Sequence, residues 1–103
     1  MGLAQVAISR PLKGASFTNG AGVSASGTFS GTMNDVLFIY VDANGTEQKI
    51  SATITPSGNN WSCASVTLPL PDWRYMVCAR SFDSSDQSKA ADDHAISCGS
   101  PAG

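Results

Sequence analysis

Residues 35–42 read DVLFIYVD; Ala43 and the dipeptide Asn44-Gly45 follow, and then residues 46–55, TEQKISATIT. The first run is the most strand-like of the chain, short, bounded by turn formers and filled with β-branched and aromatic side chains. In the second, Ile50, Ala52 and Ile54 alternate with polar residues and share one face. Asn-Gly between two such runs is the best short-range hairpin signal a sequence offers.

The same period continues on both sides of this hairpin. Upstream, residues 4–9 (AQVAIS) form a first strand closed by Pro11, and residues 13–21 (KGASFTNGA) read as turns. Residues 22–29 then put Val23, Ala25, Gly27 and Phe29 on one face, and residues 30–34 read as a loop. Downstream, Pro56-Ser57-Gly58-Asn59-Asn60 is a turn. In residues 61–68, Trp61 and Cys63 have one parity and Val66 and Leu68 the other, so a bulge near Ala64 and Ser65 is needed to bring all four inward. Residues 74–81 (RYMVCARS) form the next strand, residues 83–93 a polar loop, and residues 94–98 (HAISC) a last strand. No stretch carries a sustained helical period. About seven short antiparallel strands without a helix make a sandwich or a barrel. Parity selects a core of Val6, Ile8, Val23, Ala25, Phe29, Leu37, Ile39, Val41, Ile50, Ile54, Trp61, Val66, Leu68, Tyr75, Val77, Ala79 and Ile96.

Composition agrees. The 103 residues suffice for one domain, 1–103. Charged residues are 14% of the chain, well below the usual quarter, and uncharged polar residues that suit strand faces and turns replace them. The six basic residues are scattered and net charge is −2, which argues against nucleic acid and anionic membrane as partners. The start, Met1-Gly2-Leu3-Ala4-Gln5, lacks the charged and apolar regions of a secretion signal, and Val6 breaks a myristoylation motif.

In order along the chain, several short motifs resemble the bacterial Ig-like domains found in tandem in surface adhesins and as add-on modules on phage virion proteins. They are Val23-x-Ala25-x-Gly27-Thr28, Leu37-x-Ile39-x-Val41-Asp42, Ala52-Thr53-Ile54-Thr55-Pro56, Gly58-x-x-Trp61-Ser62, Leu68-Pro69-Leu70-Pro71-Asp72 and Tyr75-x-Val77-x-Ala79-Arg80-x-x-Asp83. The resemblance implies an immunoglobulin-like two-sheet β-sandwich. Tyr75 then fits a tyrosine corner, its hydroxyl bonding backbone upstream. The chain departs from the antibody pattern at Val77, where a cysteine would stand, and at the corner Asp72-Trp73-Arg74, where the family commonly has Asp-Gly. Trp73 either folds back on the sheet edge or anchors a partner.

Chemistry is sparse. Cys63, Cys78 and Cys98 are odd in number and are expected as free thiols; one disulfide, Cys63 to Cys98, is the alternative. His94 is the only histidine and reads as a surface residue, which leaves no zinc set and no catalytic motif. Asp83, Asp86, Asp92 and Asp93 crowd one segment; it reads as a plain solvated loop and no cofactor is expected, with calcium the alternative. Trp61, Trp73, Tyr40 and Tyr75 raise a cell-surface glycan as a further partner.

The strand 35–42 is apolar on both faces. With Leu37, Ile39 and Val41 inward, Phe38 and Tyr40 point out beside Met76 and Cys78, an apolar patch where a solvated sheet face should be polar. Phe38, Tyr40, Met76, Cys78 and Trp73 are therefore the expected interface. The function expected is a non-enzymatic structural module contacting other protein chains, either capsid or tail proteins on a phage virion surface or copies of itself. The alternatives are an adhesin repeat on a bacterial surface and a carbohydrate-binding module.

Overall fold

The computed structural model describes residues 4–84 and 87–99. They form eleven strands and no helix. In chain order these are β1 (Gln5–Arg10), β2 (Ala15–Thr18), β3 (Gly22–Val23), β4 (Ser26–Ser30), β5 (Thr32–Val41), β6 (Glu47–Ser51), β7 (Ile54–Ser57), β8 (Asn60–Cys63), β9 (Val66–Thr67), β10 (Arg74–Asp83) and β11 (Ser88–Gly99). One sheet has the order β1-β4-β8-β7, a second β2-β11-β10-β5-β6, and β3 pairs with β9 alone. One continuous apolar core draws on both main sheets, with Trp61, Cys63 and Ile8 from the first meeting Phe38, Val77 and Ile96 from the second.

The count exceeds the expected seven for a physical reason. A stretch that leaves one sheet and joins another keeps its alternating pattern and reads as one run. Residues 22–29 become β3 and β4, residues 46–55 become β6 and β7, and residues 61–68 become β8 and β9, each pair divided between sheets. The expected fault at Ala64 and Ser65 is the crossing point, and Trp61, Cys63, Val66 and Leu68 are all buried. β2 lies in the stretch read as turns, and it pairs with β11 in parallel, so the sheets are not wholly antiparallel. Two expected loops are also strand. Gly31 alone separates β4 from β5, and residues 83–93 belong largely to the β10–β11 hairpin.

The central strand is inverted relative to expectation. Phe38 is 0% exposed and Val36 likewise, while Tyr40 packs on the core. Val41 is 53% exposed, and Leu37, though only 7% exposed, lies outside the core cluster, as does Ile39. The cause is the turn. Asp42 pairs with Thr46, its N–H donating to the Thr46 carbonyl at 2.9 Å, so the loop is Ala43, Asn44 and Gly45, with Gly45 at φ 82°. A three-residue loop of this kind pairs Phe38 with Ile50. A two-residue Asn-Gly loop would have set Ile39 there, and a slip of one residue exchanges the faces of a strand. The Asp42 carboxylate holds the loop by accepting from the N–H groups of Asn44 and Thr46 and from the Gln48 amide. The hydrogen bonds from Thr46 and then Gln48 keep its pKa below the ordinary aspartate value.

The two sheets are tied at β1 by polar side chains. The free edge of β1 faces β10 and β11, where the Ala4 N–H donates to Ser88 Oγ at 2.6 Å and the Ile8 N–H to Asp92 Oδ2 at 2.8 Å. Ser81 Oγ donates to the Gln5 carbonyl at 3.0 Å. On the other side of β1, Trp61 crosses Gly27 and donates its Nε1–H to the Ala7 carbonyl at 3.2 Å. A Cβ on residue 27 would lie 1.8 Å from that carbonyl oxygen and 2.9 Å from Trp61 Nε1, so only glycine lets the indole reach the strand. Tyr75 closes the far corner, its hydroxyl donating to the Leu70 carbonyl and accepting from the Leu70 N–H, both at 2.8 Å.

Gly27→Ala should therefore push β1 off the sheet and lower the unfolding free energy by about 2–3 kcal/mol in urea titration. A variant as stable as the parent would mean that Trp61 does not bridge to β1 in this way.

Candidate functional site

Inward parity for β5 and β10 determines their outward set. Met76 stands opposite Ile39 and Cys78 opposite Leu37, and cross-strand partners share a face. Val41 continues the row, and Ala95 of β11 stands beside Met76. The outer face of the five-stranded sheet is thus apolar at its centre, with Val41 53% and Met76 39% exposed. Its borders are polar. Glu47, Lys49 and Ser51 of β6 flank it on one side and Asp93 on the other, and Arg80 closes one end in a two-pronged pair with Asp35, Nε to Oδ1 at 2.7 Å.

Trp73 forms the opposite end. Its Nε1–H donates to the Val41 carbonyl at 2.7 Å, and its ring packs partly against the core. It folds back on the sheet and also walls an open groove of about 780 Å³ that runs over Ile39, Val41, Arg74, Met76 and Ala95.

Of the expected interface residues, Met76, Cys78 and Trp73 lie on or beside this face. Phe38 does not, being a fully buried core side chain, and Tyr40 has inward parity, packing partly buried against the core at the wall of the groove; the expectation that both point outward is corrected by the three-residue turn. The face keeps its apolar character because β5 is apolar on both sides, and Ile39 and Val41 occupy the places expected for Phe38 and Tyr40. Ala95 has the outward parity that an inward Ile96 requires, but its place beside Met76 has no signal in the strand itself. Its position is set by the β10–β11 register, which no local motif signals.

Cys78 is half-buried in this face. Burial first, then a hydrogen bond to Asp93 and the charge of that carboxylate, push its thiol up to about 12, against the opposing pull of Arg80. It is a protonated thiol, suited to packing and not to nucleophilic attack. Cys63 and Cys98 are buried free thiols engaged elsewhere: Cys63 Sγ accepts from the Ala25 N–H at 3.2 Å, and Cys98 Sγ donates to the Leu70 carbonyl at 3.1 Å.

The carboxylates expected as a calcium candidate do not converge. Asp92 and Asp93 are neighbours on a strand and face opposite sides: Asp92 turns inward to Ile8 and His94, and Asp93 outward to Cys78. Asp83 ends β10, and Asp86 lies outside the described residues. Among the described residues no group of three or more His, Cys, Asp or Glu side chains is placed to hold a metal. His94, expected at the surface, is buried: its Nδ1 lies 2.6 Å from the Pro11 carbonyl oxygen and its Nε2 3.4 Å from Asp92 Oδ2. Nδ1 must carry the proton toward the carbonyl, which makes the ring a tie between β11 and the β1–β2 link. The aromatics form no open platform either. Trp61 and Tyr75 are buried, and Tyr40 packs against Tyr75 with centroids 5.2 Å apart.

No protein-family model matches the chain, and no curated protein matches it. Among solved structures, CopC from Methylosinus trichosporium OB3b is similar, with a TM-score of 0.57 at 11% identity over 97% of this chain and 97% of that one. At that identity the likeness bears on the fold alone.

Alkylation of the native protein at neutral pH should leave Cys78 reacting well below the rate of an ordinary exposed thiol, with a rate still rising at alkaline pH where an ordinary thiol has levelled off. Asp93→Asn should speed it. Rapid labelling of Cys78 at pH 7 would contradict the environment described.

Proposed function

We propose that this chain is a non-enzymatic immunoglobulin-like module that docks on another protein chain through the outer face of its five-stranded sheet, as an accessory protein on the surface of a phage virion. The observation that carries the docking face is the outward row of half-buried Ile39 with exposed Val41 and Met76 where a solvated sheet would be polar. The groove beside it, walled by Trp73, offers the depth in which a partner's apolar anchor is desolvated.

The immunoglobulin-like reading draws support from strand order. If β1, β4, β5, β7, β8, β10 and β11 are lettered A, B, C, D, E, F and G, the first sheet runs A-B-E-D and the second contains G-F-C, the arrangement of that fold. The Tyr75 hydroxyl on the Leu70 backbone has the form of a tyrosine corner. The virion placement rests on the motif resemblance and on three cysteines that fit folding in a reducing compartment.

The double substitution Val41→Ser with Met76→Ser tests the face. Both side chains are outside the core, so unfolding free energy should change by less than about 1 kcal/mol. Each contributes up to about 1.5 kcal/mol of apolar burial on docking, so binding to purified particles of the encoding phage should weaken at least tenfold. Undiminished binding would remove this face from consideration. Failure of antibodies against the domain to label those particles would remove the virion role.

A further inference from the structure

The two main sheets have four edge strands, β1, β7, β2 and β6, and the first three are blunted. The outer edge of β1 is occupied by Ser88 and Asp92. In β7 the ladder continues from the Ala64 N–H to Thr53 carbonyl bond, which by alternation turns residue 56 to the free side, and that residue is Pro56, which has no N–H to offer. β2 has only four residues.

β6 is left open. Asp42 bonds Thr46 at one end of the β5–β6 ladder and Ala52 bonds Val36 at the other, with unbroken register between. Alternation then points Gln48 and Ile50 at β5, and turns the backbone N–H and carbonyl groups of Glu47, Lys49 and Ser51 to the free side. The side chains of the same three residues project from the outer face, since they stand opposite Val41, Ile39 and Leu37.

From this we infer that β6 pairs antiparallel with β6 of a second copy, about a two-fold axis through Gln48. That register sets Glu47 against Lys49 of the second copy, and Lys49 against its Glu47, as reciprocal backbone hydrogen-bonded pairs with opposite charges facing each other. The register one step along, centred on Lys49, sets lysine against lysine. One step further, centred on Ile50, Lys49 meets only Ser51. Charge complementarity therefore selects the second copy and its register together. The axis is perpendicular to the sheet, so the two outer apolar faces lie on the same side of one continuous sheet. The inference does not rest on the docking face of the preceding section, and Val41→Ser with Met76→Ser leaves this edge intact.

Across the proposed axis the two Gln48 residues form a non-hydrogen-bonded pair, with Cα atoms about 4.5 Å apart, inside the range a disulfide spans. Gln48→Cys should cross-link to a covalent dimer under mild oxidation, whereas Lys49→Cys and the parent chain should not. Sedimentation of the parent at low salt should show a reversible monomer–dimer equilibrium. Glu47→Lys and Lys49→Glu should each weaken it about tenfold, and the two together should restore it, because the doubly exchanged strand again pairs opposite charges. A parent chain monomeric at millimolar concentration, a double variant no better than the singles, or cross-linking through Lys49→Cys in preference to Gln48→Cys would each overturn the inference.

Discussion

The turn of Ala43, Asn44 and Gly45 decides which half of the central strand is inside. Three residues between the closing pair Asp42 and Thr46 set Phe38 opposite Ile50, and the β5–β10 register carries that choice to Val77. Everything on the outer face follows as the complement: Ile39 and Val41 beside Met76, and Leu37 beside Cys78. A turn shorter by one residue would exchange these sets. The Asp42 carboxylate, bonded to Asn44, Thr46 and Gln48, is the local device that holds the longer loop closed.

The second constraint is the seam along β1. The first strand has one edge outside its ladder with β4, and there Ser88 and Asp92 of β11, in the opposite sheet, supply side-chain partners, while Ser81 of β10 bonds the Gln5 carbonyl and His94 the Pro11 carbonyl just beyond the strand. These residues occupy inward positions of long strands yet are polar, because they satisfy backbone groups of a neighbour instead of filling apolar volume. Trp61 does the same from the other side, and Gly27 is the space it needs.

Most of the fold was legible in the alternation of apolar residues. Ile8, Val23, Ala25, Trp61, Val66, Leu68, Tyr75, Val77, Ala79 and Ile96 are buried as their parity requires. The polar inward row of β11 was not legible, since Asp92 looks like a loop residue and His94 like a surface residue at a strand end until β1 is beside them. The face of β5 was not legible from that strand alone, because both of its sides are apolar. The missing information lay in the turn: with Ile50 inward, loop length alone chooses between Phe38 and Ile39 as its partner. That an apolar outer face exists was readable; its membership was not.

The account stands on Phe38 being inside and Val41 with Met76 outside. Methyl and aromatic NMR resonances recorded with a soluble gadolinium chelate measure this directly, since the chelate broadens only what water reaches. The account predicts strong broadening of the Val41 and Met76 methyl signals, with Val36, Phe38 and Val77 unaffected. Broadening of Phe38 with Val41 protected would contradict it.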